Sequence, residues 1–410
     1  MNREPETVVD VLRSAVDADA DVGAYVEYVE QEGRRSISFG GLDAAADSMA
    51  SVFADEGVGK GDVVALLLPS SIDYAVCYHA ALRLGAVTSG VNPRLGQTEK
   101  SSIFGRLGAR LTVVDHTSGG SVNSGGERTT SVLNDERLLD RSVVSSVVSE
   151  AASGRPPASR PTRLPRIEPT DPVAVVWTGG STGIPKGVLF DHTNLQAVSA
   201  GTDVLSSLKD RRLSPLPFAH VGYMTRAWDE ISKLITTVIT PTPWTAATTI
   251  KILDTESITV GQGVPTQWAL VLAHPDLDDA NTESLRVAGT GAARVPPELV
   301  RAMRERLGCP VVVRYTSTET SLGTGTRPGD PDDVVATTVG RPVPGVELEL
   351  VGADGSIVTS GEVGTVRMRS AAVMRGYVGS GSTIDRPATD AVLDHQGWVT
   401  TGDLGRMGSD

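Results

Sequence analysis

The residues best placed to do chemistry lie in "VVWTGGSTGIPKGVLFDH", positions 175–192. A hydrophobic strand runs into a loop of glycine, hydroxyl residues and one lysine, then turns hydrophobic again. Gly179, Gly180 and Gly183 let backbone N–H groups come close to an anion, and Thr178, Ser181 and Thr182 add hydroxyl donors. Lys186 contributes a mobile positive charge. The composition is that of a phosphate cradle, but Pro185 stands where G-x-x-x-x-G-K-[ST] requires glycine before the lysine. The loop is therefore a different kind of phosphate loop or, taken alone, a flexible turn.

A loop of this kind needs elements to hold it. The chain has 410 residues, too many for one compact core, so two or more subdomains are expected. At residues 40–115, "GGLDAAADSMASVFADEGV", "DVVALLLP", "DYAVCYHAALRLGAV" and "RLTVVD" alternate helix-like and strand-like patterns, implying a parallel sheet covered by helices. Residues 116–170 are rich in Ser, Gly, Pro and Arg and read as a surface excursion, with "VLNDERLLDRSVVSSVV" as a solvated connector able to form one short helix. From 172 to about 326 the alternation resumes through "PVAVVWT", "KLITTVITPT", "ITVGQGVP", "LRVAGTG" and "PVVVRYT". After 330 short strands and Gly/Pro turns suggest a small β-barrel. The expected division is 1–170, 171–330, 331–400, and a linker beginning at 401–410.

Composition narrows the partners. Hydrophobic residues make up 40% and charged residues 21%, ordinary for a globular protein, and the net charge of −13 disfavours nucleic acid. Cys77 and Cys309 have neither metal nor disulfide spacing and read as buried thiols. The N-terminus lacks a signal-peptide core, and no apolar run approaches the roughly 20 residues of a membrane span. The cytoplasm is the expected location.

The loop resembles T-S-G-T-T-G-x-P-K-G of the adenylate-forming superfamily, which includes acyl-CoA synthetases, luciferases and peptide-synthetase adenylation domains. Further motifs follow in the family's order. "RYTSTET" (314–320) is similar to Y-G-x-T-E, which implies that Tyr315 packs on adenine, Thr318 contacts the α-phosphate and Glu319 holds Mg²⁺. "GWVTTGDLGR" (397–406) resembles T-G-D, placing Asp403 on the ribose hydroxyls. "VAGTGAARVPPEL" (287–299) resembles G-G-A-P-x-x-P-E-L and assigns Gly291, Ala292 and Ala293 to the adenine and acyl pocket. "LPFAHVGY" (216–223) resembles L-P-x-F-H and puts His220 beside the carboxylate site, with Tyr223 close by. "VMRGYV" and other stretches match diffusely.

The resemblance implies an α/β fold, the large N-terminal domain of adenylate-forming enzymes, with two helix-covered sheets in αβαβα layers and a small distorted barrel. It implies ATP-dependent activation of a fatty or aryl acid to acyl-AMP, then thioester formation with CoA. Lys186, His220, Thr318 and Glu319 would be catalytic. Gly261, Gly263, Gly289 and Gly291 would leave depth for the acyl group, and no aspartate near His220 offers to hold an α-amino group. The partners implied are the acid, ATP and CoA, with a homodimer left open. Delivery to a carrier protein, or a binding module of reduced activity, remain as alternatives. Three departures stand out: Gly179 for serine, Arg294 for proline and Ala219 for an aromatic, the last suggesting a wide acyl side. Family members continue past T-G-D into a mobile C-terminal domain, so the chain as given is expected to bind well and turn over feebly.

Overall fold

A computed structural model describes residues 4–29, 33–115, 137–154, 164–179 and 184–408. Strands Val63–Leu67, Val87–Gly90 and Leu111–Val114 pair in parallel, and helices Phe39–Asp55 and Ile72–Arg83 lie where the periodicity expects them. "VVALL" is apolar throughout because both faces of its strand are covered. Val64 and Leu66 enter one core cluster, and Val63, Ala65 and Leu67 enter another with Ile103, Phe104 and Leu107 of helix Gln97–Leu107.

Two large sheets result. One has eight strands, in the order Thr383–Ile384, Gly376–Ser380, Lys186–Asp191, Pro172–Thr178, Val87–Gly90, Val63–Leu67, Leu111–Val114 and Leu138–Asp140. The other has nine, running from Arg341–Pro342 through Thr324–Gly325, Val311–Tyr315, Val287–Gly291, Val260–Gly263, Arg211–Ser214, Thr236–Ile239 and Gly23–Val29 to Gly33–Ser38. One core cluster joins Tyr25 and Ile37 of the nine-stranded sheet to Val64, Val113 and Val173 of the eight-stranded sheet through helices Val8–Asp19, Phe39–Asp55 and Ile72–Arg83. Helices Ala246–Thr255, Pro265–Leu272 and Pro297–Leu307 cover the far face of the nine-stranded sheet. The layers are thus α, β, α, β and α. Every residue of Ile72–Arg83 is buried, including Asp73, which pairs with Arg141 at 2.5 Å, and Arg83, which pairs with Asp43.

The sheets do not follow the expected cuts. A boundary at 170/171 passes through the eight-stranded sheet, where Thr88–Gly90 pair with Ala174–Val176, while Gly23–Val29 pairs with Thr236–Ile239 in the other. After 330, a three-stranded antiparallel sheet of Glu347–Val351, Val363–Arg369 and Val399–Arg406 stands apart, but Arg341–Pro342 and Gly376–Ser380 belong to the large sheets. Of the stretch assigned to a linker, residues 401–406 belong to the last strand of that small sheet.

The expected solvated connector is not one. Leu138–Asp140 forms an edge strand and Arg141–Ala152 a helix whose Val144 and Val148, four residues apart, are buried in the central core. The Ser/Gly-rich and Pro-rich parts, 116–136 and 155–163, lie outside the described residues. Both cysteines are buried, and burial pushes the Cys309 thiol up to about 11, which suits packing rather than nucleophilic chemistry.

Candidate active site

The phosphate loop joins two antiparallel strands, with Thr178 opposite Lys186 at its base. Gly179 is exposed, and Gly180, Ser181, Thr182 and Gly183 lie outside the described residues. The next strand in the sheet pairs Tyr377 with Val188 and Val378 with Gly187. That register brings the Lys186 Nζ to 4.8 Å from the centre of the Tyr377 ring.

Tyr377 donates to Glu319 Oε1 at 2.8 Å, and the Met374 amide donates to the Glu319 carbonyl at 2.8 Å. The segment after strand Val311–Tyr315 of the nine-stranded sheet is thereby tied to the edge of the eight-stranded one. Burial, and then the Glu319 charge, push the Tyr377 phenol well above its ordinary range, so it stays a donor. Thr318 sits beside Glu319, half-buried, and among the described residues its hydroxyl makes no hydrogen bond.

A second link reaches the small sheet. Tyr315 donates to Asp403 Oδ2 at 2.7 Å and approaches the Thr401 hydroxyl at 3.3 Å. Burial first, and then the bond to Asp403, raise the Tyr315 phenol, which also remains a donor. Its ring packs against the small-sheet core of Leu350, Val366 and Met368. Gly291 is paired with Arg314 on the neighbouring strand, and a Cβ there would collide with the Arg314 carbonyl. The chain then turns through Ala292, whose φ of 62° is unusual for a residue with a side chain. Ala292 and Ala293 are exposed beyond the strand end.

His220 caps helix Val221–Met224 and accepts the Gly222 N–H on Nδ1 at 3.1 Å. That leaves the proton of the neutral ring on Nε2. The ring is reached by solvent yet crowded by protein, and desolvation holds its pKa below the usual histidine range, so it offers an uncharged N–H donor. Among the described residues no hydrogen bond joins His220 to Lys186, Thr318 or Glu319.

Several expected acyl-side residues have other work. Tyr223 is buried, stacks on Phe218 with ring centres 3.6 Å apart and shares a 3.0 Å hydrogen bond with Tyr25. A Cβ at Gly261 or Gly263 would come within 3.0 Å of the Trp268 indole, which itself donates to the Gly289 carbonyl at 3.0 Å. A Cβ at Gly289 would press on Leu205 at 3.3 Å. At these glycines the nearest neighbours are Trp268, Leu205 and a backbone carbonyl. Ala219 rests against Gly90 so closely that a Cβ at Gly90 would not fit.

The AMP-binding enzyme family matches residues 12–378. The chain belongs to that family. Indoleacetate–CoA ligase of Aromatoleum aromaticum is 30% identical, with 91% of this chain and 72% of that protein covered. Long-chain-fatty-acid–CoA ligase FadD13 of Mycobacterium tuberculosis is 26% identical over 93% of this chain and 73% of that one. The N-terminal domain of FACL13 from Mycobacterium tuberculosis shares the fold, with a TM-score of 0.82, 24% identity, and 98% of this chain and 97% of that one covered.

Glu319 is the residue expected to meet a metal. Among the described residues no group of three His, Cys, Asp or Glu forms a closed metal cage. A single carboxylate with one oxygen steadied by Tyr377 fits Mg²⁺, which is commonly held by one or two carboxylates together with water and substrate phosphates. Sequence reading gave Tyr377 no role. Its only signal was the diffuse "VMRGYV", which has no chemical spacing of its own. No helix among the described residues is long and apolar enough to cross a membrane.

Proposed function

We propose that this AMP-binding enzyme activates a carboxylic acid with ATP and passes the acyl group to CoA. A carboxylate oxygen attacks the α-phosphorus, the bond to pyrophosphate breaks, and an acyl-adenylate forms. The CoA sulfur then attacks the acyl carbon, AMP leaves, and the thiol proton passes to solvent. The observation that carries this reading is the meeting of Lys186, Tyr377 and Glu319 at one sheet edge, with Tyr315 and Asp403 reached through the same segment.

Each residue has a role suited to its surroundings. Lys186, on the strand leaving the glycine loop, offsets phosphate charge, and the Thr318 hydroxyl is free to contact the α-phosphate. Bound Mg²⁺ would neutralise charge on the phosphates, with Glu319 as its protein ligand. The Tyr315 ring suits the adenine and Asp403 the ribose, since a carboxylate accepts from both vicinal hydroxyls. His220, held neutral, donates from Nε2 to the reacting carboxyl group without trapping it as a tight ion pair.

Calorimetry with nonhydrolysable acyl-sulfamoyl-adenosine mimics tests the reading. At least one mimic binds tightly, and Asp403→Ala weakens it by about 10-fold or more, the loss of a charge-assisted hydrogen bond. A folded chain that binds no mimic, or an Asp403→Ala variant that binds as well as the parent, overturns it.

A further inference from the structure

Beside Tyr315 lies a cleft of about 50 Å³ whose walls include Thr202, Asp203, Arg226, Arg314, Thr316 and Ser321. By volume it holds a few waters or one small polar group and a methylene or two. It borders the site at two places, on the adenine side through Tyr315 and toward the acid side through the helix that His220 caps. Tyr315 is one wall, and Arg226 follows directly on the helix that His220 caps, its amide donating to the Tyr223 carbonyl at 2.8 Å.

The cleft is short of negative charge. Arg314 pairs with Asp203. Arg226 is paired only loosely: its ion pair with Asp229 Oδ2 is long, at 3.9 Å, and among the described residues its guanidinium makes no hydrogen bond. Asp229 is already committed. Its Oδ2 accepts from Ser206 at 2.7 Å and Arg212 at 3.1 Å, and its Oδ1 from Thr202 at 2.8 Å and Lys233 at 2.9 Å. Glu230 is occupied by Arg212 at 3.1 Å. The cluster therefore sets four cations, Arg212, Arg226, Arg314 and Lys233, against three carboxylates, Asp203, Asp229 and Glu230. Burial holds the Arg226 pKa below the usual arginine range, with Asp229 opposing it and the neighbouring Arg212 and Arg314 adding to it. A guanidinium facing a cleft with its donors unspent is a site for a planar or tetrahedral oxyanion.

We propose that this cleft takes a second anionic group, a carboxylate or sulfonate, at the far end of the acid that the chain activates. The proposal rests on the reading of the adenylate site above. The reacting carboxyl group is a poor candidate for the cleft, because it loses its charge on forming the adenylate and would leave Arg226 uncompensated at the intermediate. A short diacid or sulfo-acid keeps its far charge through both half-reactions.

Acyl-sulfamoyl-adenosine mimics of matched length separate the two ideas, because their acyl linkage carries no terminal charge. Succinyl and sulfoacetyl mimics are compared by calorimetry with butanoyl and propanoyl ones. The anionic mimics bind about 10-fold or more tighter, the scale of one hydrogen bond to a charged group. Arg226→Gln reduces that ratio to about 3-fold or less, and Arg226→Lys, which keeps the charge without the fork, leaves it in between. Thr316→Glu, at an exposed position on the cleft wall, lowers the ratio by adding a negative charge and does not disturb the core. Thermal melting of each variant shows that it is folded. Equal binding of charged and neutral mimics by the parent chain overturns the proposal and leaves the adenylate site standing. A ratio that persists in folded Arg226→Gln and Thr316→Glu does the same. Failure of every mimic to bind overturns both.

Discussion

Replacing Tyr377 by phenylalanine asks whether Glu319 is held ready for a ligand. The phenol is 5% exposed and donates to Glu319 Oε1 at 2.8 Å, with the Lys186 Nζ 4.8 Å from the ring centre. Tyr377→Phe removes the O–H and keeps the ring, so the cation–π contact survives. A hydrogen bond to a charged group contributes about 1.5–3 kcal/mol, and water can reach the half-buried Glu319 to replace part of it, so a stability loss near the lower end is expected. The functional effect is larger in kind, because an unsteadied carboxylate leaves the orientation that a cation needs. Loss of such an outer partner typically costs about 10–100-fold in metal affinity. The assay is calorimetric ATP binding across a Mg²⁺ titration for the parent, Tyr377→Phe, Glu319→Gln and the double variant. Tyr377→Phe shifts the Mg²⁺ dependence about 10-fold, and the double variant is no worse than Glu319→Gln alone, because Tyr377 acts through Glu319. An unshifted Mg²⁺ dependence in Tyr377→Phe, or losses that add in the double variant, would refute the reasoning.

Arg212 is buried among Asp229, Glu230, Ser206 and the Leu205 carbonyl, so Arg212→Met leaves two buried carboxylates short of charge and costs about 3–5 kcal/mol in urea unfolding; a loss under about 1 kcal/mol contradicts the network. Burial holds His192, whose Nδ1 accepts the Val8 N–H at 3.2 Å, down to about 4. Below pH 6.5 the unfolded chain binds a proton that the folded chain refuses, so stability falls with pH between about 6.5 and 4, by up to about 1.4 kcal/mol per pH unit from this group. His192→Asn should flatten that slope in urea titrations at stepped pH, and an unchanged slope excludes His192 as its source. Gly263→Ala presses a methyl onto the Trp268 indole and costs about 1–3 kcal/mol, whereas in a Trp268→Leu background the same change costs less than half as much; equal costs mean that Trp268 is not what fills the space.

Much of the site was legible because phosphate, purine and ribose each demand a residue type, and short motifs carry those types in a fixed order. Lys186, Tyr315, Glu319 and Asp403 were all selected as candidates that way, and Tyr315 and Glu319 each make a hydrogen bond that joins two sheets. Tyr377 was not, because its role depends on a strand register with Val188, 189 positions earlier, that no local pattern encodes. The glycines are ambiguous for a physical reason. Absence of a side chain reports that something comes close without saying what, and at Gly261 and Gly263 the neighbour is Trp268. Sheets cross the 170/171 division because parallel strands pair across long connections, so the order of segments along the chain does not give the membership of sheets. Val144 and Val148 carried a helical signal that the polar composition around them obscured.

The geometry of Tyr315 and Asp403 explains how separate sheets make one site. Tyr315 stands at the end of a nine-stranded sheet strand, and its hydroxyl holds Oδ2 of a carboxylate on the three-stranded sheet. Among the described residues Asp403 Oδ1 makes no hydrogen bond, so one oxygen is oriented and the other is left for the ribose hydroxyl proposed above. Glu319 repeats the arrangement across the other joint, with Oε1 taken by Tyr377 from the eight-stranded sheet. In both cases a tyrosine whose phenol stays protonated fixes a carboxylate from a neighbouring sheet and leaves it half-committed. A nucleotide with Mg²⁺ that used both free oxygens would bridge all three sheets, and its binding energy would reinforce joints already set by the two tyrosines. Preorganisation of this kind reduces the ordering that binding must otherwise impose on the carboxylates.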